Sequence, residues 1–274
     1  MFQIPPSRYI LPNLFTVAAT LCGFGIIGIV LHAEAGWEFF LASTLVPLAC
    51  ILDGFDGRVA RLVHGESEFG VQLDSLSDFA TFGVAPAALI YAWALDDLGP
   101  VGFAVAFVFA AASMLRLARF NVRAADDQGV SRYFEGLPAP MGGMAIAGLV
   151  AIETGVLGRF ESAPGAAPGI VAFVLLIAGL MVSTVPFRTF KDLRVSPRNA
   201  LFLASVLSII VILSIRFDVM FALAVFLFTY IFAGLSGAFV RGPVRRVRRA
   251  AVRGTSARRV DTADLDEEED DDDV

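Results

Sequence analysis

The sequence predicts an all-α fold, a polytopic membrane helical bundle of about eight transmembrane helices with both termini cytoplasmic. First, 57% of the 274 residues are apolar and only 18% are charged, against about half and a quarter in a soluble domain. Second, the apolar residues gather in blocks of about 17–25, the helix length that crosses a hydrocarbon core. Third, the basic residues alternate with those blocks, so that one side of the bilayer collects nearly all of them. This pattern excludes an ordinary cytosolic enzyme and a secreted disulfide scaffold. Cys22 and Cys50 sit inside apolar blocks without C-x-x-C spacing and read as small buried hydrophobes.

Taken in order, the first block, 11–32, has no short apolar leader with a small-residue cleavage site before it, so it reads as a retained helix. Blocks 37–62 and 70–95 each carry a pair of aspartates toward one end, Asp53 and Asp56 in the first and Asp74 and Asp78 in the second. Block 101–122 closes on arginines, and 138–157 opens on a proline, which a first helical turn tolerates. Blocks 166–187, 200–215 and 219–240 complete the set. With the N-terminus inside, nineteen of the 21 Lys and Arg fall on the cytoplasmic side, leaving Arg159 and Arg216 outside. Removing one span would scramble that asymmetry. The chain thus divides into a cytoplasmic segment 1–10, a transmembrane domain 11–240 and a tail 241–274. The tail begins with Arg241, Arg245, Arg246, Arg248 and Arg249 and closes on an acidic run at 266–273. Such blocks stay disordered, and the basic collar serves as a topology signal or a contact for anionic lipid headgroups. No catalytic role falls to the tail.

Asp53, Asp56, Asp74 and Asp78 do not belong in apolar spans. On the insertion scale each costs about 2.5–3.5 kcal/mol at a helix centre, less near an end. All four lie toward the cytoplasmic ends of their helices. On a helical projection Asp53 and Asp56 are about 60° apart and Asp74 and Asp78 about 40° apart, so each pair shares a face. Two facing pairs make a carboxylate cage of the kind hard divalent cations require. Gly57, Ala60 and Arg61 continue the Asp53 stripe, and Gly70 continues that of Asp74 and Asp78. Small residues leave room for a ligand and an arginine can clamp a phosphate, which suits metal-bridged phosphate chemistry. Pairing of the aspartates with Arg58 and Arg61 is the structural alternative, but two arginines cannot neutralise four carboxylates. Transport of protons or cations is the functional one, weakened because no second set of acids continues toward the outer face.

Written out, the segment is Asp53-Gly-Phe-Asp56-Gly57-Arg-Val-Ala60-Arg61, eight residues, Gly70, three residues, Asp74, three residues, Asp78. It resembles the full signature of the CDP-alcohol phosphatidyltransferase family. The resemblance implies that Asp53, Asp56, Asp74 and Asp78 bind two divalent ions, Mg2+ or Mn2+, and that Asp78 is the general base for the acceptor hydroxyl. It implies that Gly57, Ala60 and Arg61 line the CDP pocket. Pro12-Asn13-Leu-Phe-Thr16 is similar to the Pro-Asn-x-x-Thr opening of these enzymes, which implies that Asn13 and Thr16 help hold CDP-diacylglycerol; a polar helix start at the membrane interface is their other reading.

Three stretches are similar to the phosphatidylserine synthase branch: 74–87, Arg116-Leu-Ala-Arg119-Phe-Asn121 and Phe134-Glu-Gly-Leu-Pro-Ala-Pro140. Leu76-Ser77 departs slightly from the commoner Leu-Ala. This likeness implies transfer of phosphatidyl from CDP-diacylglycerol to L-serine in the inner or plasma membrane, at its cytoplasmic face, by a homodimer with no nucleic-acid partner. A carboxylate acceptor suits bidentate arginine, so Arg116, Arg119 and Asn121 are the serine-binding candidates, with topology anchoring as their other reading. Glycerol 3-phosphate or inositol phosphate would also want arginines and remain alternative acceptors. His32 and His64 are isolated and expected to be non-catalytic.

Overall fold

The computed structural model describes residues 7–34, 36–65, 67–125, 133–158 and 165–188. The expected spans 200–215 and 219–240, and the tail from 241, lie outside the described residues. The chain divides into units Met1–Ile231 and Phe232–Val274, and every described residue belongs to the first.

Six of the expected spans are met by helices. Helix α1 is Ser7–Val30 and α2 is Gly36–Leu62. Helix α3, Glu68–Asp78, runs on through a π-wound turn Phe79–Val84, α4 (Ala85–Ile90), a second π-wound turn Tyr91–Leu95 and a tight turn Asp96–Leu98. Together these make one third span, Glu68–Leu98. Helix α5 is Pro100–Ala125, α6 is Ala139–Ala151 with a π-wound extension Ile152–Val156, and α7 is Ala167–Val182. Among the described residues four helices are long and apolar enough to cross a membrane: Ile10–Val30, Gly36–Leu62, Glu68–Leu98 and Pro100–Arg123. The fifth and sixth expected spans are the shorter apolar helices Ala139–Gly155 and Ala167–Val182.

Helix α1 packs chiefly on α2, α5 on α7, and α2 on α6. Large side chains such as Leu21, Phe24, Phe103 and Phe107 point outward, while Ile26, Phe82, Phe109 and Ile146 are fully buried. Lipid tails are as apolar as leucine, so close approach of small residues, rather than expulsion of water, holds such helices together. Helix α6 accordingly buries Gly142, Gly143, Ala145 and Ala147. Gly23 is decisive: a Cβ there would lie 2.9 Å from the Thr81 Cα, so only glycine lets α1 meet the third span this closely.

Cross-helix contacts gather several helix ends at one end of the bundle. Thr16 of α1 bonds Asp56 of α2, Asn121 of α5 bonds Ser75 of α3, and Arg119 of α5 reaches the last turn of α7. The all-α expectation needs one amendment at this end. A short ribbon pairs β1 (Tyr133–Glu135) antiparallel with β2 (Pro186–Arg188), Phe134 opposite Phe187. The chain leaves helical geometry on both sides of α6 and α7, and its backbone groups must still find partners. Gly136 N–H donates to the Val185 carbonyl at 2.9 Å and Leu137 N–H to the Leu180 carbonyl at 3.0 Å.

Candidate active site

The third span's start is set by a local cap. Ser67 accepts the Gly70 N–H at 3.0 Å, which fixes the first turn of α3 and lines up Gly70, Asp74 and Asp78 along it. Opposite them, α2 presents Asp53 and Asp56. Carboxylate oxygens of Asp53, Asp56 and Asp74 all lie within 4.8 Å of one another, close enough to hold one metal ion. Asp56 is in hydrogen-bonding reach of Asp74, and Asp53 of Asp78, so the fourth aspartate joins the group through Asp53. Carboxylates this close repel one another unless a proton or a cation lies between them. Asp78 Oδ1 is buried and has no hydrogen-bond partner among the described residues, which costs about 1–3 kcal/mol for an acceptor left unsatisfied. A crowded, all-oxygen donor set with an orphaned lone pair fits a hard divalent cation.

Asp56 is the most constrained of the four. Thr16 Oγ1 donates to its Oδ2 at 2.9 Å and the Gly57 N–H donates to its Oδ1. Beside it opens a cleft of about 540 Å³ with Asp56 and Asp74 in its wall. Asn13 and Thr16 line it from α1, Gly57, Ala60 and Arg61 from α2, and Ser67, Gly70 and Val71 from the start of the third span. All five residues expected to hold the nucleotide lipid therefore meet in one cavity next to the carboxylates. Positions 57, 60 and 61 share the helix face of Asp53, and the lack of bulk at the first two is what leaves the cavity open. Neither His32 nor His64 is among the lining residues.

The three acceptor-side candidates are placed differently. Arg116 is buried, 8% exposed, and interacts electrostatically with Asp78. Arg119 donates from Nη1 to the Val182 carbonyl at 2.8 Å and from Nη2 to those of Met181 and Ser183 at 3.2 and 3.1 Å, where α7 ends. Asn121 Nδ2 donates to Ser75 Oγ at 2.9 Å. Two of the branch-like stretches meet here, because a Cβ on Gly136 would lie 2.8 Å from Arg119 Nη2. Gly136 also has φ +82°, in the left-handed region.

A family model described as CDP-alcohol phosphatidyltransferase matches residues 9–230. The chain belongs to that family. It is therefore an enzyme, a transferase of phospholipid synthesis, and its apolar helices make it an integral membrane protein. Its relatives include the CDP-diacylglycerol–serine O-phosphatidyltransferase of Helicobacter pylori, 31% identical over 228 residues, or 83% of this chain and 90% of that protein. The enzyme of the same name from Mycobacterium bovis is 34% identical over 206 residues, 73% of this chain and 68% of that one. The one from Saccharomyces cerevisiae is 42% identical over 110 residues, 36% of this chain and 37% of that one.

Thr20, Ser67, Ser75 and Ser77 are not among the residues the sequence points to, although each sits in or behind the site. For Thr20 the signal is present in the sequence. Thr16 and Thr20 are four apart on an apolar helix, so both hydroxyls fall on one face.

Proposed function

We propose that the protein transfers the phosphatidyl group of CDP-diacylglycerol to the hydroxyl of L-serine, giving phosphatidylserine and CMP. The observation that carries this reading is the cleft that joins Asn13, Thr16, Gly57, Ala60 and Arg61 to Asp56 and Asp74. Its volume is in the range of small-molecule sites, about 300–1,000 Å³. Arg61 faces the pyrophosphate, and the small residues at 57 and 60 admit the nucleotide. Asp53, Asp56, Asp74 and Asp78 would hold the divalent ions, Mg2+ or Mn2+, whose charge offsets that of the phosphates and of the departing CMP. Asp78 accepts the proton of the serine hydroxyl, whose oxygen attacks the β-phosphorus; the bond from that phosphorus to the CMP phosphate oxygen breaks, and CMP leaves. Burial and the absence of a competing hydrogen bond at Oδ1 suit that base. Arg116, beside Asp78, is the group we assign to the serine carboxylate, and we give Arg119 and Asn121 a supporting role in the scaffold. We place the site at the cytoplasmic face, because Arg58, Arg61, Arg116 and Arg119 cluster at its end of the bundle.

The test is CMP release from CDP-diacylglycerol by the purified protein with Mn2+ or Mg2+, comparing L-serine, glycerol 3-phosphate and inositol phosphate. Serine-dependent release, lost on chelation and restored by either cation, is expected. Release with another alcohol would keep the centre and replace the acceptor. No release with any alcohol would return the aspartates to a transport role, measured as flux in proteoliposomes.

A further inference from the structure

We infer that Thr16 is a positioning residue of the metal centre: its hydroxyl aims the Asp56 carboxylate, and a clasp between Thr20 and Ser77 holds its backbone in place to do so. This deepens the reading above and rests on its divalent-ion centre. Thr16, Ser77 and Asp56 are all buried, at 4, 4 and 8% exposure. A threonine hydroxyl has one proton to give. Asp56 Oδ2 stands 2.9 Å from it, whereas its only other acceptor in the described residues, the Pro12 carbonyl, is at 3.5 Å. With that proton committed to Asp56, the hydroxyl offers a phosphate oxygen only lone pairs, which repel it. Thr16 therefore serves the carboxylate rather than the phosphates of the nucleotide lipid.

The backbone of Thr16 is tied as firmly as its side chain. Ser77 Oγ donates to the Thr16 carbonyl at 3.1 Å. The single hydroxyl proton of Thr20 has two acceptors in reach, Ser77 Oγ at 2.7 Å and the Thr16 carbonyl itself at 3.0 Å, so both side chains hold the same backbone group. One turn further, Thr81 Oγ1 donates to the Ala19 carbonyl at 3.4 Å beside the close approach at Gly23. Ser77 immediately precedes Asp78. A single residue of α1 thus couples the carboxylate-bearing end of α2 to that of the third span. Ser77 supplies the hydroxyl that reaches across to the Thr16 carbonyl.

The test is Mn2+ titration of the detergent-purified full chain without nucleotide lipid, read by loss of the free-ion EPR signal. Thr16→Val is expected to weaken binding about tenfold, as lost outer partners of metal ligands do, and Thr16→Ser to restore it. Ser77→Ala is expected to weaken it about two- to tenfold, the worth of one hydrogen bond. Unchanged Mn2+ affinity in Thr16→Val, with a raised KM for CDP-diacylglycerol, would overturn the inference and return the hydroxyl to the nucleotide. Should Thr16→Val not fold, wild-type affinity in the Thr20→Val/Ser77→Ala double variant, which removes both hydroxyls that reach the Thr16 carbonyl, would overturn it instead. Absence of Mn2+ binding by the wild-type chain would bring down the metal centre itself, a distinct outcome.

Discussion

The side of the site we assign to the donor and the side we assign to the acceptor are built in opposite ways. On the donor side Gly57 and Ala60 withhold bulk, and the cleft they leave is open to a ligand. On the acceptor side Arg119 and Asn121 are already bonded to the protein: three carbonyls at the end of α7 for one, Ser75 for the other. A polar residue near an active site is thus not by that fact a substrate ligand. Helix ends leave carbonyls without partners, and in a membrane bundle a long cationic side chain is the ready means of satisfying them. Arg116, one turn before Arg119, is buried and interacts electrostatically with Asp78.

The largest test of that contrast is Asp78→Asn, which keeps the shape and removes the base. Turnover measured as CMP release should fall about 10²- to 10⁴-fold, with binding of CDP-diacylglycerol largely kept. Parallel loss of binding would show that Asp78 matters chiefly as a metal ligand. Next, Arg61→Ala should raise the KM for CDP-diacylglycerol about tenfold or more, the loss of a charge-assisted contact worth about 1.5–3 kcal/mol. An unchanged KM would remove Arg61 from the pocket. The two arginines of α5 should then separate cleanly. Arg116→Lys should raise the KM for serine and leave thermal stability near wild type. Arg119→Ala should lower stability by about 1–3 kcal/mol in detergent melts while the serine KM of the folded fraction holds. If Arg119→Ala instead raises the serine KM without lowering the melt, the arginine contacts substrate and the division of labour drawn here fails. The smallest effect is expected of Asn121→Ala, about 0.5–1.5 kcal/mol of stability for its bond to Ser75.

Much of the donor side was legible because its information is local. Asp53, Asp56, Gly57, Ala60 and Arg61 sit on one helix, and Gly70, Asp74 and Asp78 on another, so a period of 3.6 residues is enough to put each set on one face. The first six helices were legible for the same kind of reason, since length and apolarity are properties of contiguous sequence. The sixth nevertheless stops at Val182, short of the expected 187, where the chain turns into the β2 strand. The ribbon between Tyr133–Glu135 and Pro186–Arg188 was not, because it pairs loops some fifty positions apart through backbone groups that carry no residue signature. Ser77 read as a trivial departure from alanine, and only its bonds to Thr20 and the Thr16 carbonyl give it a role.

By itself, then, the sequence determined that the chain is a membrane bundle with a carboxylate centre and a small-residue stripe beside it, because burial cost and helical period act within single segments. Tertiary structure alone decided which polar residues are bonded to the scaffold and which line the cleft. A hydroxyl or guanidinium is equally able to do either, and the acceptor nearest to it, on a helix far away in sequence, makes the choice.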